Sequence, residues 1–192
     1  MLMYIGAYGW EHQQWQGSFY EPGLPDDWHL TFYAKRFNTV LVPYDYWTHC
    51  SVAQIEEICS DVEENYPIIF EVKAEETDSR VVELLSNVDS HIRSKACIAE
   101  DSRARQTAIY RLQQLQILQA DNLFNGKVEA FLLTTDTALK DVFLREIISG
   151  LKKEFSDCDA IYLYFAGELI NIDAINTGYT LLKHLALSNY PS

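Results

Sequence analysis

A chain of 192 residues can bury a substantial core as one domain over residues 1–192, and its 48% hydrophobic and 22% charged content is ordinary for a globular protein. Its formal net charge of −13 argues against a nucleic-acid backbone or an anionic membrane as the main partner, because both select Lys and Arg. No apolar run reaches the length of a membrane span, and the opening Met-Leu-Met-Tyr has no basic region followed by an apolar core, so no secretory leader is expected. Cys50, Cys59, Cys97 and Cys158 lack metal-type spacing, so the expectation is a reduced, cytoplasmic protein with no metal or cofactor.

In chain order, Leu2 to Gly6 is a short apolar run ending in Gly and reads as a first buried strand. Residues 7–26 form a long aromatic loop, with Gly9, Gly17 and Gly23 free to take positive φ and Pro22 and Pro25 as punctuation. Asp26 or Asp27 caps a helix to about Phe37, with Trp28, Phe32 and Phe37 turned inward. Thr39 to Pro43 is a second strand, and Tyr44-Asp45-Tyr46-Trp47 leaves its C-terminal end. Ser51 and Gln54 have the form of a capping box for a helix to about Asn65, and Ile68 to Lys73 is strand three.

Val81 to Ile92 reads as a helix, and so does Arg105 to Leu118, where Ala108, Leu112 and Leu115 fall in phase. Cys97-Ile98-Ala99 between them has no clear assignment. Val128 to Leu133 and Ala160 to Phe165 are strands, separated by an amphipathic helix capped by Asp136 or Thr137. Ala174, Ile175, Gly178, Leu181, Leu182 and Leu185 form the apolar stripe of a closing helix. Alternating strands and helices predict parallel βαβ units with right-handed crossovers.

The first forty residues also carry a resemblance. Gly6-x-x-Gly9-Trp10, Trp15-x-Gly17-x-Phe19-Tyr20, Pro22-x-Leu24-Pro25, Tyr33-Ala34 and Phe37-Asn38-Thr39-Val40 stand in an order that resembles the opening of the YecE-like proteins, domain of unknown function family 72. Weaker similarity recurs at Phe70-Glu71-Val72-Lys73, Lys127 to Leu133, and Ile161 to Phe165 with Ala174 to Leu182. The resemblance implies a TIM-type α/β barrel and no settled activity. A closed eight-stranded barrel typically takes ~250 residues, whereas the present 192 give five clear strands, so a shortened or incomplete barrel-like parallel sheet is expected. Such a sheet leaves edges to be covered, which makes a homo-oligomer or a protein partner a further expectation.

Ligands of parallel sheets bind outside the carboxyl ends of the strands. That rule gathers Tyr8, Trp10, Tyr44, Asp45, Tyr46, Trp47, Lys73, Glu75, Asp136 and Glu168. His12, Trp10, Trp15, Phe19 and Tyr20 in the aromatic loop either line a pocket or form a loop core. Lys73, ending an apolar strand, is a candidate base, nucleophile or anion anchor, with Asp45 as its candidate acid–base partner. Against catalysis, polar positions that the resemblance leads one to expect are Leu41, Pro43 and Ala166-Gly167 here. The expected function is therefore a non-catalytic protein with a residual aromatic pocket for a small molecule. The alternative is a hydrolase- or lyase-type enzyme that uses Lys73 and a carboxylate.

Overall fold

The computed structural model describes residues 1–63, 65–72, 95–99, 104–106, 111–118, 127–135, 139–167, 170 and 172–184. It contains a central sheet of eight strands with five α-helices among the described residues. The strands are β1 (Leu2–Ala7), β2 (Val40–Val42), β3 (Ile68–Val72), β4 (Lys95–Ala99), β5 (Ala104–Gln106), β6 (Arg111–Leu118), β7 (Val128–Thr134) and β8 (Ala160–Ala166). The helices are α1 (His29–Ala34), α2 (Tyr44–Trp47), α3 (Val52–Ser60), α4 (Asp141–Glu154) and α5 (Ile172–His184).

The sheet order is β1-β8-β7-β6-β4-β3-β2, with β5 paired to β6 off this path. The pairs β1–β8, β8–β7, β2–β3 and β3–β4 are parallel, while β6 runs antiparallel to β4, β5 and β7. This corrects the expected helix over Arg105 to Leu118, and with it the expectation of βαβ units throughout. The cause is two-sided burial. Leu112 belongs to the core on one face of the sheet and Leu115 to the core on the other. Two leucines three apart imitate a helical stripe when a strand is covered on both faces.

All seven residues of β8, Ala-Ile-Tyr-Leu-Tyr-Phe-Ala, are buried, as befits a central strand with two covered faces. Ile161, Leu163 and Phe165 pack into the larger cluster with α4 and α5, which supply Leu144, Ile148, Ile175 and Leu182. Tyr162 and Tyr164 face a smaller cluster with Leu41, Ile69, Leu115 and Ala130, drawn from strands at both ends of the path. Inside it Tyr4 stacks on Tyr162 with centroids 4.5 Å apart, and the hydroxyls of Tyr164 and Thr39 share a hydrogen bond of 2.9 Å.

The two ends of the path, β1 and β2, lie side by side without a ladder, so the sheet is not a closed barrel. A single parallel bridge joins Tyr8 to Leu41, supported by Gly9 N–H donating to Leu41 O at 2.8 Å. Elsewhere side chains do the work of a ladder. Ile5 N–H donates to Asn38 Oδ1 at 2.8 Å, and Ala7 N–H donates to the Tyr33 hydroxyl at 2.6 Å, which itself donates to Thr39 O at 3.1 Å. Backbone groups buried in a sheet must find partners, and here Asn38 and Tyr33 supply them. The approach is so close that a Cβ on Gly6 would lie 2.1 Å from Thr39 O.

The aromatic loop is packed as core. Trp15 is 1% exposed, meets the rings of His12, Phe19, Tyr20 and Tyr33, and donates from Nε1 to Ile170 O at 2.9 Å. Trp28 is the exception to its expected inward orientation. It closes a 3-10 turn over Asp26–Trp28 and is 62% exposed, which leaves Leu30, Tyr33 and Phe37 to face the core. Ser51 and Gln54 form the expected capping box on α3, whereas α4 starts after Lys140 rather than after Asp136 or Thr137.

Candidate functional site

Beyond Trp10 the chain turns away from the sheet and lines a shallow cleft of about 180 Å³. Its walls come from four places in the chain. The aromatic loop gives Trp10 and Glu11, the turn before α1 gives Asp26 and Asp27 with Leu30 behind, and α2 and its exit give Tyr46 and Cys50. The fourth part, α3 and its end, gives Gln54, Glu57, Ile58 and Asp61. The rings of Trp10 and Tyr46 meet edge to face with centroids 5.1 Å apart, and the Tyr46 hydroxyl donates to Glu11 Oε1 at 3.3 Å.

Five carboxylates and no Lys, Arg or His appear in that lining. The electrostatic result is visible in single groups. Burial, and then Glu57 and Asp27, push the Asp61 carboxyl above the usual carboxylate range. Burial and Glu11 push the Cys50 thiol up, and burial, Glu11 and Cys50 do the same to the Tyr46 phenol. A thiol held protonated is a poor nucleophile. Among the described residues no three His, Cys, Asp or Glu side chains converge as a metal ion would require. The carboxylates come instead from separate elements: Glu11 from the aromatic loop, Asp26 and Asp27 from the turn before α1, and Glu57 and Asp61 from α3 and its end.

A second polar cluster lies at the C-terminal end of β3. Tyr8 donates from its hydroxyl to Glu71 Oε2 at 2.6 Å, Tyr44 N–H donates to the same oxygen at 2.9 Å, and Trp47 Nε1 donates to the Glu71 carbonyl at 2.8 Å. Tyr8 and Tyr44 are thus brought together as the strand-end rule expects, but around a residue the site reading missed. The signal was available, since Glu71 is the one charged residue in the strand Ile-Ile-Phe-Glu-Val.

The remaining candidates fall as follows. Trp10 and Tyr46 line the cleft, whereas Trp15 stands in the core and takes no part in it. His12 is half-buried against the Trp15 ring, and its burial holds the imidazole below its ordinary value despite the nearby carbonyls of Gly9 and Tyr8. Asp45 is exposed on α2 and does not line the cleft, and its carbonyl is bonded to His49 Nδ1 at 2.6 Å. Lys73, Glu75, Asp136 and Glu168 lie outside the described residues. No described helix is long and apolar enough to cross a membrane.

A family model described as "Protein of unknown function DUF72" matches residues 4–140, well over half of the chain. Among solved structures, the chain is similar to a DUF72 family protein from Thermotoga maritima, with a TM-score of 0.58 and 9% sequence identity. That match covers 95% of this chain and 100% of the other, and at such low identity it shows a shared fold alone. No curated protein matches the chain.

Proposed function

We propose, for a chain that belongs to the DUF72 family, that it is a non-catalytic binding protein whose small-molecule ligand is an organic cation with spaced charges, such as a diamine or polyamine. The observation that carries this reading is the lining of the Trp10–Tyr46 cleft, where two aromatic rings stand among five carboxylates. An ammonium group gains from both features, by Coulomb attraction to carboxylates and by contact of its methylenes with the half-buried Tyr46 ring and the small exposed edge of Trp10. Distributed carboxylates suit separated ammonium groups better than a compact metal ion, which needs its oxygens at one point. A cation would also offset the Glu57 and Asp27 charges, which add to burial in raising Asp61. Burial and Glu11 hold the cleft's thiol protonated, which argues against Cys50 as a nucleophile.

The test is a set of thermal melts with mono-, di- and polyamines, guanidines, Mg²⁺, Ca²⁺, sugars and phosphorylated metabolites, all at one ionic strength. A ligand at about 100 times its Kd adds about 2.7 kcal/mol, which at this chain length is a rise of roughly 5–10 °C. The reading predicts such a rise for diamines or polyamines and a smaller one for monoamines. Equal rises for Mg²⁺ and diamines would reduce the effect to general charge screening, and a rise with sugars or phosphates alone would overturn it.

A further inference from the structure

Glu71 does not line the cleft, yet it is tied to both of the aromatic walls. One wall is Trp10 and Glu11, which follow Tyr8 by two and three residues, and the Tyr8 hydroxyl is held on Glu71 Oε2 at 2.6 Å. The other is Tyr46 on α2, whose first residue, Tyr44, is held through its N–H on the same oxygen at 2.9 Å. The last residue of α2, Trp47, is fully buried, donates to the Glu71 carbonyl at 2.8 Å and packs edge to face on Phe70.

A helix of four residues has no stability of its own. Its N-cap, Pro43, offers no side-chain cap to the exposed N–H groups. Glu71 supplies that cap from another strand, and a carboxylate suits the positive end of a helix. One oxygen therefore ties the loop after β1 to the helix after β2, beyond the Gly9–Leu41 bond that joins the strand ends behind them. The Trp10–Tyr46 edge-to-face contact and the Tyr46–Glu11 hydrogen bond lie between the two segments so tied.

We infer that Glu71 is a positioning residue for the cleft, holding its two aromatic walls at the spacing in which Trp10, Glu11 and Tyr46 meet a ligand together. The affinity part of this inference rests on the cationic-ligand reading, and the wall-holding part does not. Because the action is through hydrogen-bond acceptance, Gln at this position retains most of it and Ala does not. A carboxylate acting only by its charge would instead be lost equally in both.

The experiment compares wild type with Glu71→Gln, Glu71→Ala and Tyr8→Phe by spermidine titration calorimetry, and by hydrogen exchange of the Tyr44–Cys50 backbone amides, at a temperature where all are folded. In catalytic sites a misplacement of about 1 Å costs up to about a hundredfold in rate, and a wall shifted as far is expected to cost on the order of tenfold in affinity. Glu71→Ala is therefore expected to weaken spermidine at least roughly tenfold and to speed exchange across α2, Tyr8→Phe to do so less, and Glu71→Gln to stay within a few-fold of wild type. Should Glu71→Ala not fold, Tyr8→Phe and Glu71→Gln carry the same comparison. Unchanged exchange in Glu71→Ala, or in Tyr8→Phe if that variant has to serve, overturns the inference. So does loss of affinity in Glu71→Gln equal to that in Glu71→Ala. Absence of spermidine binding in wild type, with exchange in Glu71→Ala faster and in Glu71→Gln unchanged, retires the cationic ligand and leaves Glu71 as the residue that holds the walls.

Discussion

One stretch of chain, from Gly6 to Leu41, contributes to two regions of opposite character. Along the β1–β2 junction, backbone groups are matched at short range by Asn38, Tyr33 and Leu41, and the chains press together until only Gly fits at position 6. In the cleft beyond Trp10, five carboxylates share a lining without Lys or Arg, His29 lies 3.8 Å from Asp26, and burial, then Glu57 and Asp27, raise the Asp61 pKa. Groups whose interactions are mutually supportive stabilise a fold, whereas groups left in conflict mark places where something other than stability has shaped the surface. The family-like motif residues, among them Gly6, Trp15, Tyr33, Asn38 and Thr39, belong to the first region. Of those motif residues Trp10 alone also lines the cleft, where the core residues Leu30, Cys50 and Ile58 join it.

That contrast can be broken most forcefully at the junction. Gly6→Ala would place a methyl group 2.1 Å from the Thr39 carbonyl. Its cost is expected to reach or exceed the ~3 kcal/mol upper end of overpacking, and circular dichroism melts would record either a large fall in Tm or no folded protein. Trp15→Ala removes a core ring and orphans Ile170 O, for a loss of about 3–5 kcal/mol by denaturant titration. Tyr33→Phe leaves the Ala7 N–H without its 2.6 Å acceptor and should cost about 1–3 kcal/mol. If the two regions are independent, Tyr33→Phe keeps its affinity for amines; a parallel loss of affinity would join them.

The smallest change in stability, and the one with the opposite sign, comes from the cleft. The Asp61 pKa is raised in the folded state by burial, Glu57 and Asp27. Between its unfolded and folded values the native state binds more protons, so stability falls as pH rises through that window and stays lower above it. Asp61→Asn is expected to raise Tm modestly near neutral pH and to lose that advantage below the carboxylate range, while weakening amine binding. Melts across pH would check it, and a stabilisation greater in acid than at neutrality would contradict the assignment.

Much of the fold was legible from the sequence. The five strands read from apolar runs are present, as is the Ser51 capping box. The antiparallel pairing of β6 was not, because Leu112 and Leu115 bury on opposite faces while spaced like a helical stripe. Of the site, Trp10 and Tyr46 were readable from their place after strand ends. Glu57 and Asp61 were not, since a carboxylate at the end of an amphipathic helix looks like any solvated residue until tertiary structure sets it opposite Asp27 and Glu11. Glu71 was hidden in a different way. Its meaning lies in hydrogen bonds to Tyr8 and Tyr44, 63 and 27 residues away in sequence.

The central claim, that the cleft and not the motif-bearing junction is the functional surface, is tested most directly by spermidine titration calorimetry of wild type, Tyr33→Phe and the cleft variant Glu57→Gln/Asp61→Asn at matched ionic strength. The account predicts saturable binding that survives in Tyr33→Phe and weakens at least roughly tenfold, about 1.4 kcal/mol, in the cleft variant, with the cleft variant no less stable than wild type. No binding by wild type, or equal binding by wild type and the cleft variant, would contradict it.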